Sequence, residues 1–105
     1  MSKPPVLTEE ERREALVLAA QARKARAQFK DEIRNGAKRW SEALDSADEN
    51  IRKMRIKELI EAIPGIGEIR ALTILEKCGI STTRRIQGLG RKQREKLLLH
   101  MGESL

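Results

Sequence analysis

The chain has 105 residues, 39% of them apolar and 36% charged, with Phe29 and Trp40 as its only aromatic side chains and a formal charge of +6. That suffices for one modest core under a heavily charged surface, and it is too little for a two-domain enzyme that encloses its substrate. A single cysteine, Cys78, and a single histidine, His100, exclude disulfide scaffolds and zinc fingers, while the basic excess points to a polyanionic partner.

Residues 1–7 carry Pro4 and Pro5 and no apolar period, which predicts a flexible tail. No apolar signal segment opens the chain and no run approaches the ~18 apolar residues of a membrane span, so the chain reads as cytosolic. Thr8 with Glu11 predicts a capping box, Thr8 accepting from a backbone N–H and Glu11 reaching back. From there to about residue 44 helix formers dominate. Leu18, Ala22, Ala25, Phe29, Ile33, Ala37, Trp40 and Leu44 recur at steps of three and four, one apolar stripe on a helix that Asn35-Gly36 bends or ends. Beside it run Arg23, Arg26, Lys30, Arg34 and Lys38, a basic stripe that is either a solvated face or a second surface for that polyanionic partner.

Ser46 with Glu49 predicts a second capping box. Ile51, Met54, Ile56, Leu59, Ile60 and Ile63 supply the next apolar set, and Pro64 stops that helix. Two shorter helices follow, about 68–78 and 91–100. No segment alternates apolar and polar residues as a strand would. The fold class is therefore all-α, a long N-terminal helix packed on a compact C-terminal module. Residues 8–105 form one domain, with a long-helix region over 8–45 and the module over 46–105.

The chemistry concentrates in an internal near-repeat. Ile63-Pro64-Gly65-Ile66-Gly67 precedes one short helix, and 23 positions later Ile86-Gln87-Gly88-Leu89-Gly90 precedes the other. Glycine permits positive φ and removes side chains that would hold a ligand off. The middle apolar residue, Ile66 or Leu89, anchors the turn in the core. The next helix begins with unpaired N–H groups and a positive dipole end, a site for a phosphate oxygen. Two such turns near one another would grip two phosphates. The flanking bases are Arg70 after the first turn, Arg84 and Arg85 before the second, and Arg91, Lys92 and Arg94 after it.

Charge agrees with this placement. Residues 1–50 hold ten bases and ten acids, whereas residues 51–105 hold twelve and six, so the whole +6 lies in the second half. The turns are not nucleotide-binding glycine loops, because each follows a helix and no Lys-Ser/Thr pair succeeds it. Without aromatic stacking platforms, duplex is favoured over single strands, and Lys/Arg contacts to phosphate would position the protein without reading sequence. Arg52, Lys53, Arg55 and Lys57 span too many angles of a continuous helix to share a face. Cys78 reads as buried packing. The chain offers no Ser–His–acid set, metal cluster or cofactor motif, so it reads as a binding protein and not an enzyme.

The run from Leu59 to Ala71 and on through Gly79-Ile80-Ser81-Thr82-Thr83-Arg84-Arg85-Ile86 resembles the helix-two-turn-helix module of a small-subunit ribosomal protein and of base-excision DNA glycosylases. With Ile86–Gly90 downstream and the long helix from Thr8 upstream, the whole chain is similar to the actinobacterial integration host factor family, its mycobacterial type above all. The resemblance implies a monomeric, nucleoid-associated protein that binds duplex DNA with little sequence preference, bends or compacts it, and assists phage integrase. It also implies that Pro64, Gly65, Ile66 and Gly67 form the phosphate-binding turn, with Arg70 behind it. Thr82, Thr83, Arg84 and Arg85 form a second basic segment, followed by Gly88 and Gly90. The alternative is a structured-RNA binder of ribosomal kind, since the same hairpin serves both nucleic acids. Glu68, at a helix start, favours the dipole but would repel a phosphate beside it.

Overall fold

The computed structural model describes residues 7–102. The tail expected over residues 1–7 lies almost wholly outside that span, Leu7 alone being described. Five α-helices follow one another: α1 (Glu9–Arg34), α2 (Glu49–Arg52), α3 (Ile56–Glu61), α4 (Glu68–Cys78) and α5 (Arg91–His100), with 3-10 turns at Trp40–Asp45 and Ile86–Gly88. The only β pairing among the described residues is an isolated antiparallel bridge between Arg55 and Arg85. The expected all-α class holds.

α1 starts where the capping signal lies. The Thr8 hydroxyl oxygen accepts from the Glu11 N–H at 3.1 Å. The Glu11 carboxylate bonds the same hydroxyl at 3.0 Å, in place of the backbone amide expected for a full box. The helix ends at Arg34, ten residues before the expected limit. Gly36 takes φ +82°, and its N–H donates to the Ile33 carbonyl at 3.2 Å, closing the last turn. The chain then folds back, so Trp40 and Ala43 enter the core from a 3-10 turn and not as a continuation of α1. The apolar stripe is thus correct in its centre, at Phe29 and Ile33, while Leu18 and Ala37 are exposed.

A second correction concerns residues 46–63. The helix expected to begin at Ser46 begins after Asp48, whose carboxylate accepts from the Asn50 N–H at 2.8 Å, and the Ser46 hydroxyl accepts from the Asp48 N–H at 3.1 Å. Asp48 lies next to the first helical residue, so it caps and Ser46 only shapes the approach. The helix is also broken. At Met54 and Ile56 the backbone turns away to pair with the segment before the second glycine turn: Ile56 N–H donates to the Arg84 carbonyl and Ile86 N–H to the Met54 carbonyl, both at 2.9 Å. The apolar positions still converge, and Met54, Ile56, Leu59 and Ile60 join Leu75 and Leu97 as the most deeply buried large side chains. This core holds α3, α4 and α5 around the two glycine turns.

Candidate nucleic-acid interface

The first turn is built by its sequence. Pro64 and Gly65 are the central residues of a reversal closed by the Ile66 N–H donating to the Ile63 carbonyl at 3.1 Å, and Gly65 has φ +86°, the pattern of a type II turn. Ile63 and Ile66 pack against the core while Pro64, Gly65 and Gly67 lie on the surface. Gly67 is the N-cap of α4 and offers no side-chain cap, so the amides of Glu68, Ile69 and Arg70 are left to an external acceptor. A Cβ at either glycine would meet nothing within 4 Å.

The second turn has the same closing bond, Leu89 N–H to the Ile86 carbonyl at 3.1 Å, but a different backbone. It is a 3-10 turn, and neither Gly88 nor Gly90 has positive φ. The conformational reason expected for these glycines, and for Gly67, therefore fails; Gly65 alone of the repeat uses it. At the second turn the side chains crowd in. Arg84 donates from Nη1 to the Gly88 carbonyl at 3.2 Å, and a Cβ on Gly88 would sit 3.4 Å from Arg84 Cδ. Gln93 accepts from the Gly90 N–H at 3.0 Å and donates to the Gly79 carbonyl at 2.8 Å, tying the start of α5 to the end of α4.

That tie fixes the spacing. The first turn precedes α4 and the second lies beside its far end, so the 11 residues of α4 separate them by roughly 16 Å. The distance is too long for neighbouring phosphates of one strand, whose axial spacing is about 3.4 Å.

Thr82, Thr83, Arg84 and Arg85 are all exposed. Their segment is shaped by Ser81, whose carbonyl accepts from the Arg84 N–H at 3.0 Å and whose hydroxyl accepts from the Thr83 N–H at 3.3 Å. The Arg55–Arg85 bridge then holds it against the core. Arg70 and Lys92 are exposed and form no ion pair among the described residues. Two other bases are engaged within the molecule: Arg94 meets Asp45 at 2.7 Å and Arg91 meets Glu95 at 3.5 Å.

The basic stripe of α1 divides in the same way. Lys30 meets Glu58 at 2.7 Å, Arg34 meets Asp31 at 2.9 Å and Lys38 meets Glu32 at 3.2 Å. Arg23 and Arg26 have no such partner among the described residues. Arg26 also lines a cleft of about 340 Å³ with Lys53, Met54, Arg55, Glu58 and Arg85. Four cations from three chain segments converge there, and the one carboxylate is held by Lys30. Lys53 and Arg55 share no face when read from the sequence, because a continuous helix would spread them around its axis. The break has no Gly or Pro to announce it.

Glu68 is balanced as well. Lys57 lies 3.1 Å from Glu61 and 3.3 Å from Glu68, and hydrogen bonds to Glu61 first and Glu68 second hold its ammonium above the ordinary lysine range. Cys78 is buried, and that burial pushes its thiol up. Among the described residues no cluster of His, Cys, Asp and Glu has the makings of a metal site, and no helix is long and apolar enough to cross a membrane.

Comparison with known proteins gives this arrangement a lineage. The S13-like H2TH domain family matches residues 33–101. The integration host factor of Mycobacterium tuberculosis is 41% identical over 95% of this chain and 97% of its own length. That of Streptomyces coelicolor is 42% identical over 89% of this chain and 88% of its own. The solved structure of sIHF bound to an 8-bp palindromic DNA superposes with a TM-score of 0.75 at 36% identity, covering 78% of this chain and 94% of that one. With an H2TH domain over most of its length and relatives this similar from end to end, the chain belongs to the integration host factor family of actinobacteria.

Proposed function

We propose that the protein is a DNA-architectural protein of the nucleoid. It binds duplex DNA through phosphate contacts with little sequence preference, bends or compacts it, and assists integrase-mediated site-specific recombination. The observation that carries this reading is the uncapped start of α4 behind the side-chain-free Gly65 and Gly67, on a surface where Arg70 stands without an acidic partner among the described residues. The DNA-bound sIHF structure, matched over most of this chain, supports duplex DNA as the ligand. Recombination rests on the name that its relatives carry. Thr82, Thr83, Arg84 and Arg85, with Gly88 and Gly90, form the second contact, and the cleft adds Arg26, Lys53 and Arg55.

The test is a gel-shift series on unrelated duplexes at several salt concentrations, with circularly permuted probes for bending and a structured RNA in parallel. Similar affinities across duplexes, a steep salt dependence and position-dependent mobility are expected. Replacing Arg84 and Arg85 together by Ala should weaken binding to every duplex alike and flatten the slope of log K against log salt by about 2. Unchanged affinity would remove that segment from the site, and preference for the RNA would favour the ribosomal reading.

A further inference from the structure

One part of the molecule serves neither the core nor the DNA-binding reading. Of the 26 residues of α1 only Phe29 and Ile33 are buried. Upstream lies an apolar run, Ala15-Leu16-Val17-Leu18-Ala19-Ala20, on which Leu16, Val17 and Leu18 are 63%, 54% and 65% exposed. A helical stretch apolar on all sides is ordinarily covered. Beside it a groove of about 530 Å³ is lined by Glu10, Arg13, Glu14, Val17, Leu18 and Gln21.

The charges say what fits there. Glu10, Glu14, Val17, Gln21 and Lys24 follow one another at steps of four and three, so they share one face. Glu10 stands seven residues before Val17 and Lys24 seven after it. Neither has a partner among the described residues, whereas neighbouring Glu9 pairs with Arg13 and Glu11 with Thr8. We propose that this face is an interface between two copies of the chain, packed antiparallel about Val17, with Glu10 of each copy against Lys24 of the other. Two-fold symmetry makes both charge pairs at once. A parallel pairing would set Glu10 on Glu10 and Lys24 on Lys24, so electrostatics selects the antiparallel one. The face is a strip roughly 20 Å by 10 Å. That is far below the ~800 Å² per partner of a stable complex, so the association is weak and reversible. A dilute sample is monomeric, and the pair forms where the protein is concentrated.

Sedimentation equilibrium of the full chain without DNA, from about 5 µM to about 500 µM, tests the proposal. The average mass should rise toward that of a dimer. Val17→Glu should abolish the rise while leaving the helical circular dichroism unchanged, because Val17 contributes nothing to the core. Glu10→Lys and Lys24→Glu should each weaken association roughly tenfold. An equimolar mixture of those two variants should associate more tightly than either alone, since each then meets its opposite charge at both ends. A monomer at every concentration overturns the proposal. So does self-association that survives Val17→Glu, or a mixture that associates no better than its components.

Discussion

Gly65 and Gly67 stand two residues apart and are glycines for different reasons. Gly65 has φ +86°, so a Cβ there strains the turn by about 1–2 kcal/mol. Gly67 has φ −90°, ordinary extended backbone, and a Cβ would meet nothing in the molecule. On the proposed phosphate contact, its lack of a side chain leaves room for the ligand. We expect Gly65→Ala to lower stability by about 1–2 kcal/mol and Gly67→Ala, at the N-cap of α4, by at most about 1 kcal/mol. Both should weaken DNA binding, and the Gly67 variant should do so at a temperature where it is still fully folded. Undiminished affinity in that variant would mean that no phosphate approaches α4 there. The pair of glycines was legible in the sequence, but their separate reasons were not, because φ depends on the closed turn.

Lys57 acts on the same turn through charge. It holds Glu68, the acid whose repulsion of phosphate the sequence signals, and shares itself with Glu61. Lys57→Met should weaken DNA binding, and it should do so much less in a Glu68→Gln background, where no acid is left to mask. Equal losses in the two backgrounds would show that Lys57 serves only as one more cation. The pH dependence has a definite sign. A folded-state pKa raised above the unfolded value gives an interaction fully present below about 10.4 and lost as pH rises through the folded value. Binding measured between pH 6 and 9 should therefore show no step from this group.

Among the elements, those with local punctuation were readable. The ranges expected for α4 and α5, about 68–78 and 91–100, coincide with Glu68–Cys78 and Arg91–His100 because glycines flank their starts. The end of α1 was half-readable. Asn35-Gly36 was visible as an interruption, but Trp40 and Leu44 kept the helical period and disguised the reversal. Gly36, at φ +82°, carries that reversal. Gly36→Ala should cost about 1–2 kcal/mol, a fall of several degrees in Tm at about 4–8 °C per kcal/mol for a domain of this size. No change in Tm would place the cause of the reversal elsewhere. The break between α2 and α3 was not readable at all. Its cause is the backbone pairing of Met54 and Ile56 with Arg84 and Ile86, some thirty residues on, which no local period encodes.

For the molecule as a whole, net charge locates the ligand only after the internal ion pairs are set aside. The α1 stripe looks uniform in sequence, yet Lys30, Arg34 and Lys38 each face an acid on the same chain and bring little net charge to a phosphate. Lys30 and Glu58 are also partly withdrawn from water, so their pair serves packing between α1 and α3. Arg26, Lys53, Arg55 and Arg85 line one cleft, and its one carboxylate, Glu58, is held by Lys30, so the four cations outnumber the acid there. Such a cluster costs free energy in the unbound protein, and an anion relieves it. Counterion release distinguishes the two groups, because log K falls with log salt by about 0.9 for each phosphate neutralised. Replacing Arg26, Lys53 and Arg55 together by Ala should flatten that slope by about 2–3 with little change in Tm. Replacing Lys30 and Lys38 by Ala should leave the slope within about 0.5 and lower Tm instead. The reverse pattern would put DNA along the length of α1 and leave the cleft outside its path.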